Sequence, residues 1–169
     1  MSRLLDFVHR HEPKAALRAQ LKSGLGAVVG MTLVGGIAAL TGLPLLIAPF
    51  GASAVLLFGQ PESALAQPAN VIGGYLIAAV LSALMLLVLP HAWWIGTIAV
   101  GVVIALMLMC RLTHPPAGAV PLVAVSSQMP PSTLFLVVIL GALCLVVIAV
   151  LHHSLPPRVV YPKRRLPAE

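Results

Sequence analysis

The chain has 169 residues, of which 60% are apolar and 8% are Asp, Glu, Lys or Arg, and its mean hydropathy is +1.06. Soluble domains carry about 25% charged residues, so the composition excludes a soluble globular protein and leaves an integral membrane protein with little room for a separate soluble domain. The net charge of +6 comes mainly from the two ends, which suits anionic lipid headgroups and the fixing of topology rather than nucleic acid.

Residues 1–22 are polar and basic. A helix can begin at Pro13, which fits a first helical turn, and Lys14, Arg18 and Lys22 then share one face. That segment reads either as an interfacial helix on anionic lipid or as a solvated extension of the first span. Residues 23–43 make the first span, rich in glycine, with Gly26 and Gly30 spaced for close helix approach. The first apolar run lies behind a charged segment and is long enough to span, which argues against a cleavable signal peptide. Residues 44–59 are apolar but broken by Pro49 and Gly51. The longest polar connection, 60–70, holds Pro61, Glu62, Gln67, Pro68 and Asn70. Residues 71–89 form a clean span, Pro90 and His91 turn the chain, and Trp93 and Trp94 look like an interfacial anchor. The next span, 95–110, ends at Arg111. A second broken piece, 113–127, follows, then a turn at 128–132 and a last span at 133–151. His91, His152 and His153 read as interfacial, and the basic tail 152–169 is expected to be loose beyond Pro157. Cys110 and Cys144 lie in apolar runs without metal-binding spacing and read as helix-packing residues.

The two broken pieces organise the rest. Thr113-His114-Pro115-Pro116-Ala117-Gly118 cannot continue a helix, because proline lacks an N–H and forces its predecessor toward extended backbone. Broken backbone at membrane depth survives only against protein or a wet cavity. Ala48-Pro49-Phe50-Gly51-Ala52-Ser53 is the matching break in the first half. Long span, broken segment, long span therefore occurs twice, over 23–89 and 93–151, and such paired interruptions point to a transporter site near the midplane. If each short segment crosses, the halves are inverted, and Arg111 and the 60–70 loop share the side of both termini. If the short segments are re-entrant, Arg111 falls on the opposite side. The charge pattern favours the crossing arrangement. The predicted fold is an all-α polytopic membrane protein: four full transmembrane helices plus two Pro/Gly-broken segments, six in an inverted repeat, with a basic segment at 1–22.

The chemistry follows from what is missing. The carboxylates are Asp6, Glu12, Glu62 and Glu169, none within a long span, which is poor for a metal-cation or proton carrier. An anion needs donors, and N–H groups exposed at restarted helices after Pro49 and Pro115 supply them. Pro49, Pro115 and Pro116 create the breaks, and Gly51 and Gly118 would let a ligand approach the backbone. Ser53, Thr113 and His114 add side-chain donors. The alternatives are that Ser53 back-bonds to its own helix, that Thr113 is a cap, and that His114 holds the break by bonding a carbonyl. Gln67 and Asn70 read as entrance residues or as caps of the following span, and Arg111 as a ligand-steering charge or a topology anchor. No catalytic motif, metal cluster or cofactor fingerprint is present, so an enzyme is not expected, nor a metal or cofactor. On this reading His114→Ala weakens anion uptake while the protein still folds. Small residues on the first span suggest a homo-oligomer, a dimer or trimer.

His114-Pro115-Pro116-Ala117-Gly118-Ala119, Ala48-Pro49-Phe50-Gly51-Ala52-Ser53-Ala54-Val55 and Gln67-Pro68…Asn70-Val71-Ile72-Gly73-Gly74 resemble, in order, blocks of the HPP family of small integral membrane proteins. The resemblance runs from about Lys22 to Leu151. It implies four transmembrane helices and a transporter, with relatives linked to nitrite, and hence a small inorganic anion as substrate. The family pattern has Arg, His and Asn where this chain has Ala69, Tyr75 and Val120, so two cationic donors and one amide are missing, which favours another substrate or weak nitrite binding. The expected setting is a bacterial inner (plasma) membrane with both termini cytoplasmic. The competing reading is a non-transporting scaffold or assembly partner that packs through glycine-rich helices. Transport predicts a polar cavity joining the breaks; packing predicts a dry centre and an apolar outer groove.

Overall fold

The computed structural model describes residues 6, 8, 9 and 14–164, and among these the regular structure is helical throughout. Six α-helices follow one another: α1 (Leu17–Thr41), α2 (Ala48–Ala54), α3 (Pro68–Val88), α4 (Trp93–Met109), α5 (Val120–Ser127) and α6 (Pro131–Ser154). Helices α1, α3 and α6, of 25, 21 and 24 residues, are long and apolar enough to cross a bilayer. Helix α4, of 17 residues, is about 26 Å long, a little under the hydrocarbon thickness. The start expected at Pro13 lies outside the described residues. Arg18 and Lys22 stand on the same continuous helix as the span.

The core is built on α3 and α6. Val71, Gly74, Tyr75, Ala78, Ala79, Ser82 and Met85 make a helical stripe on α3, and Leu134, Val137, Val138, Gly141, Ala142, Leu145 and Val146 make another on α6. Against this pair α1 packs on α6 and α4 packs on α3, while each broken segment packs on the first helix of its own half.

The breaks are resolved in different ways. Helix α2 carries Pro49 in its first turn and passes after seven residues into a π-helical turn, Val55–Gly59. In the second half a 3₁₀ turn, Pro115–Ala119, precedes α5. The α-helix thus restarts only at Val120, after a 3₁₀ turn and not directly behind Pro115. His114 is extended, with φ −136° and ψ 98°, as a residue before proline must be. Helix α4 ends in a Schellman motif: Arg111 takes the left-handed position at φ 58°, and Leu112 N–H reaches back to Met107 O at 2.9 Å.

Side-chain bonds fix which ends lie together. Lys22 Nζ donates to Leu155 O and Pro157 O, each at 2.7 Å, so the start of α1 meets the end of α6. Tyr161 Oη donates to Ala66 O at 2.8 Å and Lys163 N to Gln67 Oε1 at 2.9 Å, which joins the tail to the 60–67 loop. Asn70 Nδ2 donates to Thr113 O at 3.0 Å, which brings the end of α4 to the same face. Both short segments consequently pass from one face to the other, and Arg111 sits on the face of the termini, as in the crossing arrangement and unlike the re-entrant one. The tail differs from expectation. It is bound beyond Pro157, because Tyr161 is buried and its phenol, raised above its usual pKa by that burial, keeps its proton for Ala66.

Candidate functional site

The two breaks meet at a buried polar trio. Ser53 comes from α2, Tyr75 from α3 and His114 from the second break, and all three are 0% exposed. Ser53 Oγ lies 2.7 Å from His114 Nε2 and 2.8 Å from Tyr75 Oη. The other imidazole nitrogen, Nδ1, lies 2.8 Å from Leu65 O. A carbonyl only accepts, so Nδ1 carries a proton and donates to Leu65. In the neutral ring Nε2 then accepts from the Ser53 hydroxyl, and Ser53 Oγ accepts from the Tyr75 phenol. Every polar atom of the trio has a partner, as burial demands. His114 accordingly bonds both a carbonyl and the opposite break, and Ser53 turns to Tyr75 and His114 instead of back onto its own helix.

Glycines let the breaks come this close. A Cβ on Gly74 would lie 2.8 Å from His114 Cβ and 3.1 Å from Leu112 O, and one on Gly73 would lie 2.7 Å from the Leu112 side chain. The adjacent Gly73-Gly74 pair is therefore the seat on which the second break rests, and Asn70, one turn earlier, ties it down through Thr113 O. In the other half Phe50 covers Gly141 so closely that a Cβ there would overlap its ring, and the same ring meets Tyr75 edge-on at 5.4 Å. Gly26 and Gly30 face Phe58, so this pair packs within the subunit.

The remaining sequence-derived residues scatter. Pro49, Pro116 and Gly118 are buried, whereas Gly51 and Pro115 are exposed. Gly51 opens outward, with open space where a Cβ would stand, on the opposite side of α2 from Ser53. Gly118 would carry a Cβ at ordinary contact, 3.8 Å from Ile104, so the space there is not one that only glycine fits. Gln67 spends its amide on the loop and tail: Nε2 donates to Pro61 O and Ser63 O, and Oε1 accepts from Lys163. Arg111 is exposed, and so is Cys110, which is not a packing residue. His153, in the last turn of α6, is buried and lies 2.8 Å through Nε2 from Leu57 O, a carbonyl of the π turn. Tyr75 was visible in sequence only as a departure from a family pattern. The signal that could have found it is a phenol in mid-span, whose hydroxyl needs a partner.

Three of the cavities that open on the described residues are lined by none of Ser53, His114, Pro49, Gly51 and Gly118. The first, about 690 Å³, lies on the face of the termini between Lys22, Phe58, Gln60, Glu62, His152 and His153. The second, about 350 Å³, is an apolar groove between α3 and α4 lined by Leu84, Met85, Trp94 and Ile98 among others. At the centre where the breaks meet, Ser53, Tyr75 and His114 are fully buried.

The chain is 40% identical over 87 residues to a transmembrane protein of Dictyostelium discoideum, a stretch covering 49% of this chain and 30% of that protein. It is 34% identical over 86 residues to a second transmembrane protein of the same organism, covering 48% and 28%. The aligned stretch thus spans less than a third of the length of these relatives. No solved structure matches. The family model of the HPP transmembrane region matches residues 12–162, a range that takes in all six helices, both breaks and the glycine seat, and the chain belongs to the HPP family of transmembrane proteins.

Proposed function

We propose that the protein is a carrier or channel for a small inorganic anion, with nitrite as the first candidate, and that the anion is received where the two breaks meet. The observation that carries this reading is the Ser53–Tyr75–His114 trio: three hydrogen-bonding side chains, two of them titratable, held at the centre of an apolar helix bundle. Polar groups at membrane depth are costly and mark pathways when they occur. With the trio buried, this is the closed form, and opening requires the 60–67 loop to release Leu65 O from His114. The cavity beside Lys22 and His152 then serves as the vestibule on the face of the termini. That face is cytoplasmic in this proposal, because Lys22, Arg111, Arg158 and Lys163 lie on it, and a bacterial inner membrane is the expected setting. The weakly buried outer side of α1 is the surface offered for a homo-oligomer.

The test is uptake into proteoliposomes, with protein-free liposomes subtracting leak of the neutral acid. Nitrite should enter faster with protein, and Ser53→Ala should slow entry about three- to tenfold, since a neutral hydrogen bond contributes about 0.5–1.5 kcal/mol. His114→Ala is the less suitable variant. It strands Leu65 O and one bond of Ser53, at about 1–3 kcal/mol for each group left unpaired, and should lower the detergent melting temperature. No protein-dependent entry of nitrite, nitrate or chloride would remove the reading. The buried centre and the apolar groove between α3 and α4 favour the second one, a membrane scaffold that packs against a partner.

A further inference from the structure

We infer that the anion is bound together with a proton, and that the proton's seat is His114 Nε2. This deepens the transport reading by naming the coupling ion, and it rests on the trio's geometry. The groups on the imidazole are few. Leu65 O takes Nδ1–H, Ser53 Oγ faces Nε2, and the Tyr75 ring lies against the imidazole with centroids 5.2 Å apart. Helices α2, α4 and α5, which also pack around the break, carry no titratable side chain, and Tyr75 is the one on α3. Among the described residues the carboxylates are Asp6 and Glu62, both exposed.

Protonation has a defined course here. The Nε2 lone pair takes a proton from water and becomes an N–H donor to Ser53 Oγ. The Ser53 hydroxyl, displaced from Nε2, turns to Tyr75 Oη. Tyr75 O–H, which had donated to Ser53, is released and needs a new acceptor. One added proton therefore does two things: it places a positive charge among neutral groups and frees a phenol donor next to it. A buried charge without a partner is strongly disfavoured, and among the described residues no carboxylate is placed to pair it. A small anion satisfies both demands, as counter-charge to the imidazolium and as acceptor for Tyr75 O–H. Each ligand must then favour the other by the same factor, and the pair that moves carries no net charge.

Two measurements test this. In proteoliposomes, nitrite uptake should follow an inside-alkaline pH gradient and ignore an imposed potassium diffusion potential. Tyr75→Phe removes the acceptor that Ser53 needs only in the protonated state. It should move the pH of half-maximal uptake downward by about half to one unit, the equivalent of one neutral hydrogen bond, whereas a purely structural Tyr75 would lower uptake at every pH alike. In lipid nanodiscs, ¹⁵N-histidine spectra should show nitrite raising the doubly protonated fraction of His114 at fixed pH. Uptake that follows the potential and not the pH gradient, or an Nε2 that nitrite leaves unprotonated, overturns the inference while transport stands. Nitrite-linked protonation without any uptake supports the paired site and removes the carrier.

Discussion

Gly74 and Gly118 are both buried glycines beside the second break, and they answer to different constraints. Gly74 has the backbone of Leu112 and the Cβ of His114 against it, atoms that cannot step aside without moving the break. Gly118 has only the tip of Ile104 at van der Waals distance. Gly74→Ala should therefore cost about 1–3 kcal/mol, the range for overpacking a close-fitted site, and Gly118→Ala should change stability little. Thermal melts of the two variants in one detergent check this; equal melting temperatures would show that the seat has slack. At this scale the sequence was informative about His114, since a ring in a proline break must be used somehow. It was misleading about Gly51, because only the direction of a helix face, not its composition, puts that glycine outside. The acceptor Leu65 O was out of reach altogether: a backbone carbonyl carries no mark in the sequence that says which side chain will find it.

Among the elements, the 60–67 loop ties the halves together by hydrogen bonds, beside the α3–α6 packing of the core. It receives His114 from the second break, spends Gln67 on Pro61 O and Ser63 O, and is bound from outside by Tyr161 and Lys163. Tyr161→Phe removes one buried bond from it. Amide exchange over 60–67 should quicken about three- to tenfold, the effect of losing about 0.5–1.5 kcal/mol, with α3 and α6 unchanged; unaltered exchange in the loop would mean that the tail merely rests there. Breaks in the helices were legible because proline forbids continuation. Their form was not. Proline requires only that the N–H be dispensable, and both an α-helical first turn at Pro49 and a 3₁₀ turn from Pro115 meet that demand. The bound tail was hidden for a related reason: its anchor on Ala66 is a main-chain atom, and a short basic run after Pro157 reads as solvated.

For the whole molecule, hydropathy and the placement of Lys and Arg carried the architecture. The length of the apolar runs carries the helices long enough to span, whereas the crossing of the two short segments and the side assigned to Arg111 rest, in the sequence, on charge alone. The contacts Asn70–Thr113 and Lys22–Leu155 put the same residues on the same face. In a background lacking Cys110 and Cys144, single cysteines within 60–67 and at 111 should label from one side of the membrane, and those within 128–132 from the other. Labelling of 111 and 128–132 from a common side would contradict the six-passage arrangement.

The contact between Tyr161 and Ala66 also sets an order of events in biosynthesis. Residue 66 is made early, between the first and second halves, whereas residue 161 is made only after α6. The loop over the trio can thus be tied from outside only once all six helices have been handed to the bilayer. Until then its bond from the second half is the one His114 makes to Leu65 O, and His114 itself arrives with that half. A nascent first half has neither anchor, and its loop should stay open to the aqueous side, where a folding catalyst or protease would meet it.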